Sequence, residues 1–157
     1  MLPFDTYPEN GREFFGQNPG TNARHNEAPK LIKETQQRRC AYCGVDLTSN
    51  YHQWLLITID HVVPKQLAEL LKIPTDFWND YANCVLACSG CNGLCNQIYK
   101  DLESAPPQPP GIQSDEQAFF DYRDSVFKDR HWRIAQARMA EMRYFDQRRW
   151  EQTEQEE

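Results

Sequence analysis

The chain has 157 residues, 39% of them hydrophobic and 25% charged, with a mean hydropathy of −0.81, so it has room for one modest core and not for a large multidomain enzyme. Its formal charge of −6 excludes a domain that is basic throughout, the simplest nucleic-acid signature, yet that figure averages +4 over residues 128–149 with −5 over 101–127. Six cysteines are too few for a disulfide scaffold, no window is apolar enough to span a bilayer, and Met1-Leu2-Pro3-Phe4-Asp5 lacks the basic and apolar stretches of a secretory signal, so the expectation is a soluble cytoplasmic protein with no membrane partner, whose cysteines serve something other than disulfides.

Residues 1–37 read as an irregular arm leading into a helix. Asn10-Gly11 and Asn18-Pro19-Gly20 are turn signals, Phe4, Tyr7, Phe14 and Phe15 suggest contact with the body, and Leu31, Ile32 and Thr35 fit a short helix over 29–38. Cys40-Ala41-Tyr42-Cys43-Gly44 then reads as a tight knuckle. Trp54 to Ile59 is apolar and β-branched, as a strand would be, and runs into Asp60-His61-Val62-Val63-Pro64. Helical spacing returns over 65–72 and begins again at 75–78. Asn83 to Ala87 suits a second strand, and Cys88-Ser89-Gly90-Cys91 turns into a helix starting near Asn92. The stretch 104–113, with four of the ten prolines, is a stiff connector. Beyond it, 114–150 is helical: Ser114 and Gln117 form a capping-box signature, Phe119, Val126 and Phe127 line a face to about Asp129, and a second helix or a continuation carries Trp132, Ile134, Met139, Met142 and Phe145. The acidic tail 151–157 is expected to fray. Short strands among helices make the class α+β.

Two Cys-x-x-Cys units, Cys40/Cys43 and Cys88/Cys91, lie 44 residues apart. Four thiolates from two such knuckles can close a tetrahedron around Zn2+, and a structural site of this kind contributes on the order of 10 kcal/mol to folding. That crosslink would answer the thin core. Cys84 and Cys95 each stand four residues outside the second knuckle, as core thiols or as alternative ligands.

The module 38–103 contains more than a staple. Between the knuckles stand Ile59-Asp60-His61-Val-Val-Pro64 and Asn83-Cys-Val-Leu-Ala-Cys88-Ser-Gly-Cys91-Asn92, and over about residues 38–100 these pieces resemble, in order and spacing, the HNH endonuclease family, the zinc-knuckle version of the ββα-metal nuclease fold. The chemistry suits the residue types: a carboxylate is a hard ligand for Mg2+ or Mn2+, a near-neutral imidazole can activate water, and an asparagine can add a second oxygen ligand. Adjacent strand residues point to opposite faces, but at a strand end the chain can turn so that Asp60 and His61 reach one site. The resemblance implies that Asp60 and Asn92 bind the catalytic Mg2+ or Mn2+, that His61 is the general base, and that Asn83 orients the loop carrying His61. Asn79 and Asn96 are rival asparagines for the middle and ligand roles, and His52 reads as a surface residue. The sequence departs from the family where the last ligand is often His rather than Asn, in the long stretch between Pro64 and Asn83, and at Cys95, where many members carry a base; the first nearby base here is Lys100.

The resemblance implies a metal-dependent endonuclease or nickase acting on DNA, with RNA open as a substrate, in a phage, bacterial-defence or mobile-element setting. The alternative is a non-catalytic zinc-ribbon-like adaptor for nucleic acid or protein. Arg133, Arg138, Arg143, Arg148 and Arg149, interleaved with aromatics, could contact phosphates, pair with the acidic stretch 101–127, or face a protein partner that delivers substrate.

Overall fold

The computed structural model describes residues 1–7, 24–95, 98, 99 and 101–153, the side chains of Cys95 and of residues 150–153 excepted. The turn signals at Asn10 and Asn18, the rings of Phe14 and Phe15, Asn96, Lys100, the side chain of Cys95 and the end of the acidic tail lie outside the described residues. In chain order the elements are α1 (Glu27–Thr35), α2 (Tyr51–Leu55), β1 (Ile57–His61), α3 (Lys65–Leu70), α4 (Thr75–Trp78), β2 (Cys84–Cys88), α5 (Ser89–Cys95) and α6 (Glu116–Thr153), with 3₁₀ turns at Pro3–Thr6 and Tyr81–Asn83. The chain is thus α+β, with one small sheet among the described residues.

β1 and β2 pair antiparallel in a register that runs from Ile57 opposite Cys88 to His61 opposite Cys84. Branched Ile57, Thr58 and Ile59 favour the extended backbone, and all five residues of β2 are buried. The strand starts three residues later than the apolar run from Trp54 suggests. Asn50 caps a helical turn there, its Oδ1 accepting from the Gln53 amide at 3.0 Å, and this local bond holds Trp54 and Leu55 in α2. β2 is likewise displaced one residue, because Asn83 closes the 3₁₀ turn. α5 begins at Ser89, directly after β2, so Asn92 is its fourth residue rather than its first. It packs against both strands and against α6, while α1 packs on β1.

The C-terminal segment is one 38-residue helix with no break near Asp129; an Asp129–Arg133 pair at 2.9 Å spans that point. Its cap is Asp115, whose Oδ1 accepts from the Gln117 amide at 2.9 Å, whereas Ser114 turns its hydroxyl to the Gly111 carbonyl. Phe119, Arg123, Val126, Phe127, Arg130 and Ile134 are buried, and their three- and four-residue spacing makes one stripe along the helix. Trp132, Met139, Met142 and Phe145, which the sequence places among the apolar residues of this helix, are exposed. The N-terminal turn closes over the same core: Phe4 meets Phe127 edge-on at 5.7 Å, and the Tyr7 hydroxyl donates to the Cys84 carbonyl at 2.5 Å. A single core runs from Phe4 to Ile134. No helix among the described residues is long and apolar enough to cross a membrane.

Phe119 is fully buried and Met139 is not. Phe119→Ala should lower the unfolding free energy by about 3–5 kcal/mol, and Met139→Ala should leave it within about 0.5 kcal/mol, both read from urea denaturation.

Candidate metal centre and catalytic site

The first knuckle is a tight hairpin: the Cys40 amide donates to Val45 O and the Gly44 amide to Cys40 O, each at 2.9 Å. Gly44 sits at φ 73°, where a side chain would be strained. The Ala41 amide reaches Leu86 O at 2.9 Å, which fixes this knuckle against β2. The second knuckle is the end of β2 and the first turn of α5, with the Cys91 amide 3.4 Å from Cys88 Sγ.

Together they bring Cys40, Cys43, Cys88 and Cys91 into one cluster, all four Sγ atoms within 4.8 Å of one another. Thiolates about 2.3 Å from a central zinc stand about 3.8 Å apart in a tetrahedron, and Cys43 Sγ and Cys88 Sγ are separated by 3.8 Å. Hydrogen bonds shared among the Cys40, Cys88 and Cys91 thiols lower the pKa of Cys88 and raise that of Cys91. Four soft donors in this arrangement could hold a metal such as zinc. Cys84 is not among them; it is fully buried, its Sγ turned to Asp80 O at 3.4 Å, and burial raises its pKa.

His61 ends β1 at the other end of the sheet. The chain beyond it is pinned by Asn83, whose backbone carbonyl accepts from the Val62 amide at 2.8 Å. The Asn83 side chain accepts from the Val63 amide at 2.9 Å and donates to Val63 O at 2.9 Å and to Trp78 O at 2.8 Å. The imidazole stands edge-on to Trp78 at 6.0 Å, and Asn79, the rival asparagine, hydrogen-bonds it. Its Nε2 is buried with no hydrogen-bond partner among the described residues. Burial lowers the pKa of His61, and Asp60 and Asn79 oppose that shift.

Asp60 is placed differently from the expectation. β1 stays regularly paired through His61 and Cys84, so the chain does not turn at Asp60, and consecutive residues of a paired strand face opposite sides. The carboxylate is 5% exposed and already engaged. Tyr42 Oη donates to Oδ2 at 2.5 Å, and Arg130 Nη2 lies 3.0 Å from Oδ1 and 2.9 Å from Oδ2. Three of about four lone-pair positions are taken, and the guanidinium would repel a second cation. As arranged, this group does not fit Mg2+ or Mn2+. Asn92, the other implied ligand, is half-buried on α5.

Arg130 also donates through Nη1 to His61 O at 2.5 Å and to Val62 O. Two turns earlier on α6, Arg123 Nη1 donates to Ala82 O at 2.7 Å. These two arginines join α6 to the segments flanking both strands, and composition and charge patterning do not reveal their burial. The available signal is their place on the Phe119–Ile134 stripe, where a charged residue must find partners. Of the arginines expected at phosphates, Arg133 binds Ser104 O and Asp129, each at 2.9 Å. Arg138 is half-buried and, with Met142, walls a groove of about 770 Å³ beside Cys43, Cys88, Gly90 and Leu94. Arg143, Arg148 and Arg149 are exposed, Arg148 stacking over Tyr144 at 5.2 Å.

Compared with family models, curated proteins and solved structures, the chain gives no match.

Elemental analysis of the purified chain should return one zinc per chain. Cys40→Ser should lose the metal together with its cooperative melting transition, whereas Cys84→Ser should keep the metal.

Proposed function

We propose that this chain is a zinc-stapled HNH-type endonuclease or nickase that hydrolyses phosphodiester bonds of DNA, with His61 as general base. The observation that carries the reading is His61 itself. An imidazole at a strand end, biased toward its neutral form by burial, has an Nε2 with no partner among the described residues and stands just before a loop that Asn83 holds by the amide and carbonyl of Val63. A neutral imidazole in that setting can take the proton of an attacking water. Asn79 fixes the ring, and the four-thiol cluster holds the far end of the same sheet. The resemblance assigns a divalent ion to Asp60 and Asn92, and the engagement of Asp60 by Tyr42 and Arg130 does not fit that ion.

Plasmid nicking in Mg2+ or Mn2+, with and without EDTA, tests the reading. His61→Ala should slow cleavage by about 10²–10⁴-fold, and cleavage that survives the substitution would overturn it. The active imidazole is the neutral one, and burial lowers its pKa from 6.5. The rate should therefore be level from about pH 6.5 to 8 and fall only at lower pH. The engaged state of Asp60 favours a second reading, a non-catalytic zinc-bearing adaptor, and absence of cleavage with every metal would support it.

The exposed end of α6 gives a further expectation. If Arg143, Arg148 and Arg149 bind phosphates, changing all three to Glu should weaken DNA binding and reduce the slope of log affinity against log salt by about 0.9 for each phosphate no longer neutralised. An unchanged slope would assign them to another partner.

A further inference from the structure

We propose that Arg130 is a positioning residue that latches α6 to the end of β1 and competes with divalent cations for Asp60. The inference rests on reading Asp60-His61 as a nuclease centre. It is carried by one guanidinium that serves both residues of that pair. Nη2 lies within 3.0 Å of both Asp60 carboxylate oxygens, and Nη1 binds the carbonyls of His61 and Val62. Arg130 is 1% exposed and Asp60 5%, so the pair is screened from water, and removing one partner leaves the other charge buried and uncompensated.

Tyr42 adds a third donor from the first knuckle, and its ring lies 5.6 Å below the Arg130 guanidinium and stacks on Phe127 at 5.4 Å. The carboxylate is therefore held between the zinc-knuckle hairpin and α6. With the guanidinium in place the carboxylate has no open position for a divalent cation, and the same side chain holds the carbonyls of His61 and Val62.

The experiment uses the full zinc-loaded chain and Mn2+ as the probe, with free Mn2+ followed by electron paramagnetic resonance. Arg130→Met removes the charge and keeps an apolar stem. It should bind Mn2+ at least ten-fold more tightly than the wild type, and the gain should vanish in Arg130→Met/Asp60→Asn. Equal Mn2+ affinity in wild type and Arg130→Met, or a gain that survives Asp60→Asn, would overturn the proposal. A merely structural role for Arg130 would not tighten metal binding.

Should Arg130→Met not fold, Asp60→Asn tests the latch by itself. Amide exchange over residues 126–134 of α6 should accelerate at least ten-fold relative to the rest of the helix stripe, and unchanged protection there would overturn the latch. A protein that shows the Mn2+ gain without cutting DNA keeps the latch and loses the nuclease reading. One that cuts with equal Mn2+ uptake does the reverse.

Discussion

A two-stranded sheet has too little apolar face to hold itself together in water, so this one depends on what is fastened around it, and at one end that is a four-thiol cluster that could hold a metal such as zinc. It joins the hairpin around Cys40 and Cys43 to the junction of β2 and α5, so the sheet, its outer hairpin and its following helix share one fixed point. A bound structural metal contributes on the order of 10 kcal/mol, comparable to the entire net stability of an ordinary domain. The register of β1 and β2 sets Cys88 at the cluster end and His61 opposite Cys84 at the other.

The other end of the sheet lies away from that cluster and is held by polar bonds. Arg123 binds the Ala82 carbonyl ahead of β2, Arg130 binds the His61 and Val62 carbonyls at the end of β1, and Asn83 bridges the two segments. Each of these carbonyls lies where the ladder gives out, and a buried carbonyl without a donor is costly. Arginine suits the position because one planar guanidinium can satisfy several acceptors from a single helical residue. The long helix thus acts as a bar laid across the sheet end, with Phe119, Val126 and Ile134 supplying apolar contact between and beyond the two arginines.

The parts written in local chemistry were legible in the sequence. Two matched Cys-x-x-Cys units point to a four-sulfur cluster, and the four sulfurs meet. The helices at 65 and 75 follow from helical spacing, and the two short strands from their apolar, β-branched runs. What was illegible depended on capping or on tertiary placement. Asn50 draws Trp54 and Leu55 into a helix although their side chains suit a strand. Asp115 rather than Ser114 caps α6, because the Asp carboxylate reaches the Gln117 amide while the shorter Ser114 hydroxyl turns back to Gly111. The 38-residue length of α6 was open at Asp129, where an Asp129–Arg133 pair carries the helix through. Arg130 looks, in the sequence, like one more member of a basic face, and only the packing of α6 onto β1 makes it the most buried large polar side chain of the described residues.

The least legible feature is the one with most consequence for chemistry. A strand that ended at Asp60 could bring both Asp60 and His61 to one side, and a carboxylate and an imidazole together would make a metal-assisted site. β1 instead keeps its pairing for one residue more, and that residue decides the outcome, because strand faces alternate with a period of two. His61 remains on the face of Ile57 and Ile59, beside Trp78, while Asp60 is turned to Tyr42 and α6. The two groups are then separated by the backbone they share, and Arg130 bonds both the Asp60 carboxylate and the His61 carbonyl. A rotation of α6 large enough to free the carboxylate must also release the His61 carbonyl, so His61 and its acidic neighbour are mechanically linked even though their side chains do not face one another.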